Sequence, residues 1–340
     1  MRRVAGVLAA GIITAASLTY ALWGTDPRAL WQTLIGGSPW VIPPFLLILA
    51  AFYYSNAQRW GLILRHFGHF SPRALMPSMM IGFAANNVLP LRAGELIRTF
   101  MLAKDYQLPR SGILMTLVLE RLLDLIGILT VFVAGLLLVT DAPAAFRTSA
   151  WVAAAAILAI AAALSALLLL PDAANRLWRM IARPLPTPLL ERGTIYLQQF
   201  GRALAPMRDP ALTALVLLQS IGRWFLPVLL AWLCIHAYAD RVSLPAAMIT
   251  IGITAFAVAL PSAPGFVGPI QAAFVFALTP FGISQEAALA ASVAFLLGHW
   301  IPVTATGAAL LASRHLSFKD VAAQAADNAA ADEPGARNAS

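Results

Sequence analysis

Apolar residues in this chain come in long blocks. Runs of roughly twenty occupy Val4–Trp23, Val41–Ala57, Ile113–Val139, Trp151–Leu170, Leu212–His236 and Ala287–Leu311. Each is enough to carry a helix across a hydrocarbon core about 30 Å thick. The backbone finds no water there to bond, so runs of this length predict helices that satisfy their own amides. Two further apolar regions, Leu75–Ala103 and Leu244–Leu278, are broken near the middle. The first break is Asn86-Asn87-Val88-Leu89-Pro90-Leu91-Arg92-Ala93-Gly94-Glu95, and the second is Pro261-Ser262-Ala263-Pro264-Gly265-Phe266-Val267-Gly268-Pro269. Proline removes a helical donor and glycine adds backbone freedom, so each region reads as a re-entrant helical hairpin. The expected fold class is all-α, a polytopic transmembrane helical bundle of about six full spans plus two re-entrant hairpins.

Charge between the blocks orients them. Arg2 and Arg3 precede the first run, Arg59, Arg65 and Arg73 follow the second, Arg176, Arg179, Arg183, Arg192, Arg202 and Arg208 fill the longest loop, and Arg314 and Lys319 follow the last. Positively charged loops stay in the cytoplasm, which predicts both termini inside and a bacterial-type inner (plasma) membrane as the location. The opposite loops each offset one basic residue with one acidic: Asp26 with Arg28, Asp141 with Arg147, Asp240 with Arg241. The two hairpins then enter from opposite faces, an inverted repeat of the kind found in secondary transporters. The repeat rests on topology, since identity between the halves is not evident in the residues. The first run exceeds the roughly 7–15 apolar residues of a signal-peptide core and is expected to stay as an anchor. The membrane domain is expected to span 1–316. The Ala, Asp, Asn and Gly composition after Leu316 predicts a disordered cytoplasmic tail over 317–340.

Composition narrows the chemistry. Charged residues are 11% of the 340, against about a quarter in soluble domains, and 60% are hydrophobic. The single cysteine, Cys234, excludes an intramolecular disulfide and a cysteine zinc cluster, and the five histidines carry no metal-ligand spacing, so no metal or cofactor is expected. The net charge of +8 fits loops beside anionic lipid rather than nucleic acid as partner. The basic stretch Asp172–Pro210 interleaves Leu177, Trp178, Met180 and Ile181 with arginines, as either an interfacial helix or a solvated linker would.

Charge inside an apolar run is costly and is kept for pairing or function. Three places stand out. Arg92, Glu95 and Arg98 are spaced to share one face of the first hairpin's second limb. These guanidiniums are candidates for a lipid phosphate, with Glu95 orienting one of them and Asn86 and Asn87 adding hydrogen bonds; a buried ion network that locks the hairpin is the alternative. Glu120, Arg121 and Asp124 lie in the third run, and two carboxylates that close require a cation. It is either a hairpin arginine, forming an inter-helix lock, or a titrating proton. Arg223, in the fifth run, has no acidic neighbour in sequence, which points to an anionic ligand or to pairing with Glu120 or Asp124. Gly265 and Gly268 need no charge to matter, because they permit close backbone approach and free helix-start amides bind anions. Packing alone is the competing explanation. His299 and His236 are expected to be satisfied polar or interfacial residues.

Asn87-Val88-Leu89-Pro90-Leu91-Arg92-Ala93-Gly94-Glu95-Leu96-Ile97-Arg98, Glu120-Arg121-Leu122-Leu123-Asp124 and Pro261-Ser262-Ala263-Pro264-Gly265-Phe266-Val267-Gly268, in this order, resemble the flippase-like membrane domain of lysylphosphatidylglycerol synthases and its stand-alone relatives. These include proteins implicated in glycolipid and hopanoid pathways. The resemblance covers nearly all of Val4–Leu311 and implies a lipid-handling membrane domain. Two positions depart from the pattern: Leu91 stands where glycine is usual, and Gln271 where an acidic residue is usual, which weakens a proton-coupled carboxylate there. The synthases carry a soluble aminoacyl-transfer domain after the membrane part; here a short polar tail follows, so lipid aminoacylation is not expected. Three function classes remain. A non-enzymatic transporter would move an anionic or glycosylated membrane lipid between leaflets. An accessory subunit would position envelope-lipid or glycolipid biosynthesis enzymes. A membrane enzyme acting on polyprenyl phosphates would hold Mg²⁺ between carboxylates, for which only Glu120 and Asp124 qualify.

Overall fold

A computed structural model describes residues 2–89, 93–139, 144–184, 186–239, 242–260, 262–321 and 323. Pro90, Leu91, Arg92, Asp141, Asp240, Arg241, Pro261 and the tail from 324 onward lie outside the described residues. The helices are α1 (Arg2–Leu22), α2 (Pro27–Ile35), α3 (Ile42–Ile63), α4 (Pro72–Val88), α5 (Gly94–Tyr106), α6 (Arg110–Leu137) and α7 (Ala144–Leu169). After them come α8 (Pro171–Ile181), α9 (Thr187–Ala203), α10 (Pro210–His236), α11 (Leu244–Ala259), α12 (Pro269–Leu278) and α13 (Gln285–Ala312). No strand occurs among the described residues. The protein is a multi-pass membrane protein built as an all-helical bundle.

Local chemistry sets where the helices begin. Ser71, Asp209, Ser243 and Ser284 sit at N-cap positions of α4, α10, α11 and α13, and each side chain accepts a backbone amide of the first turn. Proline follows directly in α4 and α10, at a position whose amide has no helical partner in any case.

Each of the six apolar runs falls in one helix. By length and composition, 39–66, 148–169, 210–236, 264–281 and 285–312 are able to cross a membrane. Helix α6 is as long but carries Glu120, Arg121 and Asp124 in its middle, of which Glu120 and Asp124 are buried. One reading from the loops is corrected. Arg59 does not follow the second span; it lies within α3 and is fully buried, because the apolar run resumes at Trp60 and the helix continues to Ile63.

Both interrupted regions are helix–break–helix, divided where proline and glycine predict. In the first, α4 and α5 pack antiparallel, with Gly82 against Gly94; a Cβ on Gly82 would lie 2.7 Å from the Gly94 carbonyl oxygen. In the second, α11 and α12 pack together across a short turn, Pro264–Phe266.

The units α3–α6 and α10–α13 pack by one scheme. Exchanging α3 with α10, α4 with α11, α5 with α12 and α6 with α13 turns the pair α4/α13 into α11/α6, α3/α4 into α10/α11, and α5/α6 into α12/α13, all of which are packed pairs. Helices α3 and α10 run antiparallel: Asn56 bonds Arg223 and Arg59 bonds Ser220, so residue numbers rise in one as they fall in the other. The units are therefore inverted with respect to each other. Glycines repeat the scheme. Gly127 and Gly135 of α6 meet α10 and α11 as Gly298 and Gly307 of α13 meet α3 and α4. A Cβ at any of the four would fall under 3.0 Å from an indole or phenyl ring or from the Cβ of Met248 or Ala84, so a side chain at these positions would separate the seam.

Packing continues past the last span. Leu316, Phe318 and Val321 join Ile81, Ile97, Phe100 and Met101 of the first hairpin, and Arg314 pairs with Asp105 at 2.9 Å.

Candidate functional site

Helices α3, α5, α6 and α10 bring seven charged side chains into one cluster. Arg98 of α5 grips Glu120 of α6 with both terminal nitrogens, Nη1 to Oε1 at 3.2 Å and Nη2 to Oε2 at 3.0 Å, a geometry only a planar guanidinium supplies. Its other face stacks on Trp60, 3.6 Å from the ring centroid. Arg59 reaches Asp124 at 2.7 Å and Glu120 at 3.6 Å, and donates to the Ser220 hydroxyl at 3.1 Å. Arg223 pairs with Asp124 through Nη2 and donates through Nη1 to Asn56 Oδ1 at 2.8 Å. At the edge of the cluster Arg121 bonds Glu95 at 2.6 Å and approaches Asp124 at 3.5 Å.

Burial grades this cluster. Arg59, Arg98 and Arg223 are at most 4% exposed, while the side chains of Arg121 and Glu95 are 45% and 30% exposed. The interior pairs sit in surroundings where a lone charge would be several kcal/mol unfavourable, so each carboxylate holds more than one guanidinium. Among the described residues four arginines meet three carboxylates, leaving one net positive charge in the cluster. Nε of Arg59, of Arg98 and of Arg223 is buried with no acceptor among the described residues. Three strong donors are therefore unspent.

The sequence-level candidates divide accordingly. Glu95, Arg98, Glu120, Arg121, Asp124 and Arg223 are brought together, but their pairs run between helices: Glu95 bonds Arg121 rather than Arg98. The cation between Glu120 and Asp124 is arginine, from the hairpin and from α3 and α10. Arg92 lies outside the described residues. Asn86 Oδ1 accepts the Gly94 amide at 2.9 Å and Asn87 Nδ2 donates to Thr304 at 3.0 Å, so both amides hold the first break together.

The second break meets the first. Trp300 of α13 donates to the Asn87 carbonyl oxygen at 3.4 Å, and a Cβ on Gly265 would lie 3.1 Å from that indole nitrogen. Gly265 and Gly268 have φ of 78° and 96°, which β-carbon-bearing residues rarely adopt. The Gly268 amide at the start of α12 is taken by the buried Gln271 side chain at 2.7 Å, so it is not a free anion donor. His299 bonds the Tyr53 hydroxyl at 2.6 Å and His236 stacks on Trp232.

Sequence reasoning missed Arg59, Asn56, Ser220 and Trp60 as partners. One signal was present: the apolar run resumes directly after Arg59, at Trp60, and continues through Leu64.

The family model for the lysylphosphatidylglycerol synthase TM region matches residues 5–307. The chain belongs to this family. No curated protein and no solved structure matches it. In this member of the lysylphosphatidylglycerol synthase TM family the arginine cluster and both breaks lie inside the matched region. Gln271, where the family pattern usually has an acid, serves as the amide cap of α12.

Proposed function

We propose that this protein is a non-enzymatic lipid transporter of the bacterial inner membrane, moving a lipid with an anionic or glycosylated headgroup between leaflets. In this reading both termini are cytoplasmic and the two hairpins are re-entrant. The observation that carries it is the cluster's composition. A folding lock needs matched charge, whereas this one keeps a surplus guanidinium and three unspent Nε donors in the bundle interior. A phosphate oxygen is the complementary partner.

Position supports the same reading. Arg121 stands one turn before Leu125 on the exposed face of α6, and Leu125 opens a groove of about 630 Å³ between α6, α7, α11 and α12. Leu129, Phe132, Val152, Phe256 and Phe276 line it, an acyl-chain surface. A headgroup at Arg121 and a chain along the groove would place one lipid against both features. The polyprenyl-phosphate enzyme reading is disfavoured because Glu120 and Asp124, its only candidate Mg²⁺ ligands, are already occupied by guanidiniums.

The test is leaflet-resolved lipid exchange in proteoliposomes, with fluorescent or chemically accessible anionic and glycosylated lipids. Wild type is compared with Arg223→Ala and Arg121→Ala. Accelerated exchange that falls at least tenfold in Arg121→Ala supports the transporter. No exchange of any lipid by folded protein would replace it with the accessory-subunit reading.

A further inference from the structure

A second basic feature lies away from the cluster, where α7 ends. Helix α8 presents two faces. On one, Trp178 packs on Gly193 of α9 and donates to the Thr194 hydroxyl at 3.2 Å. On the other, Leu177, Met180 and Ile181 are 52%, 65% and 62% exposed, with Arg176 and Arg179 beside them. An eleven-residue helix that follows an apolar span and shows large apolar residues outward suits the plane of the lipid headgroups, its apolar stripe dipping toward the acyl chains.

Behind α8 is a pocket of about 360 Å³ between the end of α7, the first turns of α8, the second half of α9 and the turn Ala205–Arg208. Leu167 and Leu168 line its α7 side, and Arg202 and Arg208 line it from α9 and that turn. Neither arginine has an acidic partner among the described residues. Asn175 is also part of the wall, and its amide oxygen is buried with no hydrogen-bond partner among the described residues. Two free guanidiniums, an unused acceptor and a leucine wall combine the parts that an amphiphile with a negative, hydroxyl-bearing head would fill.

The pocket's wall is also a structural seam. Leu204 and Met207 pack with Ile63 of α3 and with Leu119 and Leu123 of α6, immediate chain neighbours of Glu120 and Asp124. Whatever occupies the pocket touches Ala205 and Arg208, chain neighbours of the Leu204 and Met207 that pack on α6.

We propose that this pocket is a headgroup site for an anionic phospholipid, separate from the interior cluster and independent of whether the protein transports lipid. The phosphate lies between Arg202 and Arg208, and the acyl chains run along Leu167 and Leu168 beside the exposed stripe of α8.

The experiment uses the full chain in detergent, read by native mass spectrometry and thermal unfolding. Phosphatidylglycerol, phosphatidylcholine and soluble glycerol phosphate are added separately. Phosphatidylglycerol should be retained and should raise the unfolding temperature, whereas phosphatidylcholine and glycerol phosphate should not. Arg202→Gln/Arg208→Gln, unfolding at the wild-type temperature without lipid, should lose the retention and the shift. Arg176→Gln/Arg179→Gln removes equal charge outside the pocket and should keep both. Asn175→Ala, a milder change, should weaken retention severalfold and guards against misfolding of the double variant. Equal stabilisation by phosphatidylcholine, equal stabilisation by glycerol phosphate, or equal loss in Arg176→Gln/Arg179→Gln would each overturn the proposal. Loss of a co-purifying protein with lipid retention unchanged would overturn it in favour of a protein dock.

Discussion

The two inverted units share a packing scheme and differ in charge. Aligning Gly127 with Gly298 sets Glu120, Arg121 and Asp124 of α6 opposite Ala291, Ser292 and Phe295 of α13, and aligning Gly135 with Gly307 shifts this by one residue, to Ser292, Val293 and Leu296, so neither register places a charge there. The second unit makes the same helix contacts with small and aromatic residues there. Its break is met by the Trp300 indole, which also bonds the first break, and is capped by the Gln271 amide. The architecture therefore does not require the arginine cluster. The carboxylates and three of the four guanidiniums belong to the first unit and only Arg223 comes from the second, an asymmetry that points to use rather than to folding.

That comparison can be broken most severely at Asp124. Asp124→Asn leaves Arg59 and Arg223 facing a neutral amide, with an expected loss of about 3–5 kcal/mol, whereas Phe295→Leu at the matching place should lose less than about 1.5 kcal/mol. Denaturant unfolding in detergent measures both, and equal losses would remove the distinction between the units.

Next in size are the seams. Gly135→Leu and Gly307→Leu should each destabilise by about 1–3 kcal/mol, because new side chains meet Met248 and Ala84 respectively. A fall in unfolding temperature for one variant only would show that the exchange of contacts is geometric without being energetic. Gly268→Ala should lose about 1–2 kcal/mol from its positive φ and from a Cβ 2.8 Å from the Thr14 carbonyl oxygen. Thermal unfolding of that variant reports the rigidity of the uncharged break.

The smallest stability effect sharpens the comparison most. Arg121 is half exposed and its ion pairs are screened, so Arg121→Ala should change stability by less than about 1 kcal/mol. Lipid exchange should nevertheless fall at least tenfold. Parallel assays of unfolding and exchange test this, and unaltered exchange would assign the cluster to structure.

Much of this was legible in the chain. Run length located the helices, and Pro90 and the Pro261–Pro269 segment located the breaks, since these are local consequences of hydropathy and backbone chemistry. Glu120, Asp124, Arg98 and Arg223 were visible as charges out of place. Their pairings stood only as alternatives to ligand binding, a hairpin arginine with the α6 carboxylates and Arg223 with Glu120 or Asp124, and the part played by Arg59 was not visible, because it and Glu120 are 61 positions apart on helices remote in sequence. The inward and outward sides of a membrane helix can both be apolar, so periodicity says little about which neighbour a residue faces. Arg59 shows the cost of reading charge alone, since a loop rule applied to a buried side chain moves the end of α3 by two turns.

The least buried of the spans, α7, has only 6% of its apolar window inside the protein. It contributes little to the interior, and its importance is one of parity. A helix, a hairpin and a second helix return the chain to the face from which it set out. Two such units joined directly, or by an even number of crossings, would stand the same way up. One solitary crossing between them turns the second unit over, and with it the direction in which α10 passes α3. The meeting of Asn56 with Arg223 and of Arg59 with Ser220 depends on that turn-over. A helix that buries little of its own surface thus decides which residues of the two halves meet.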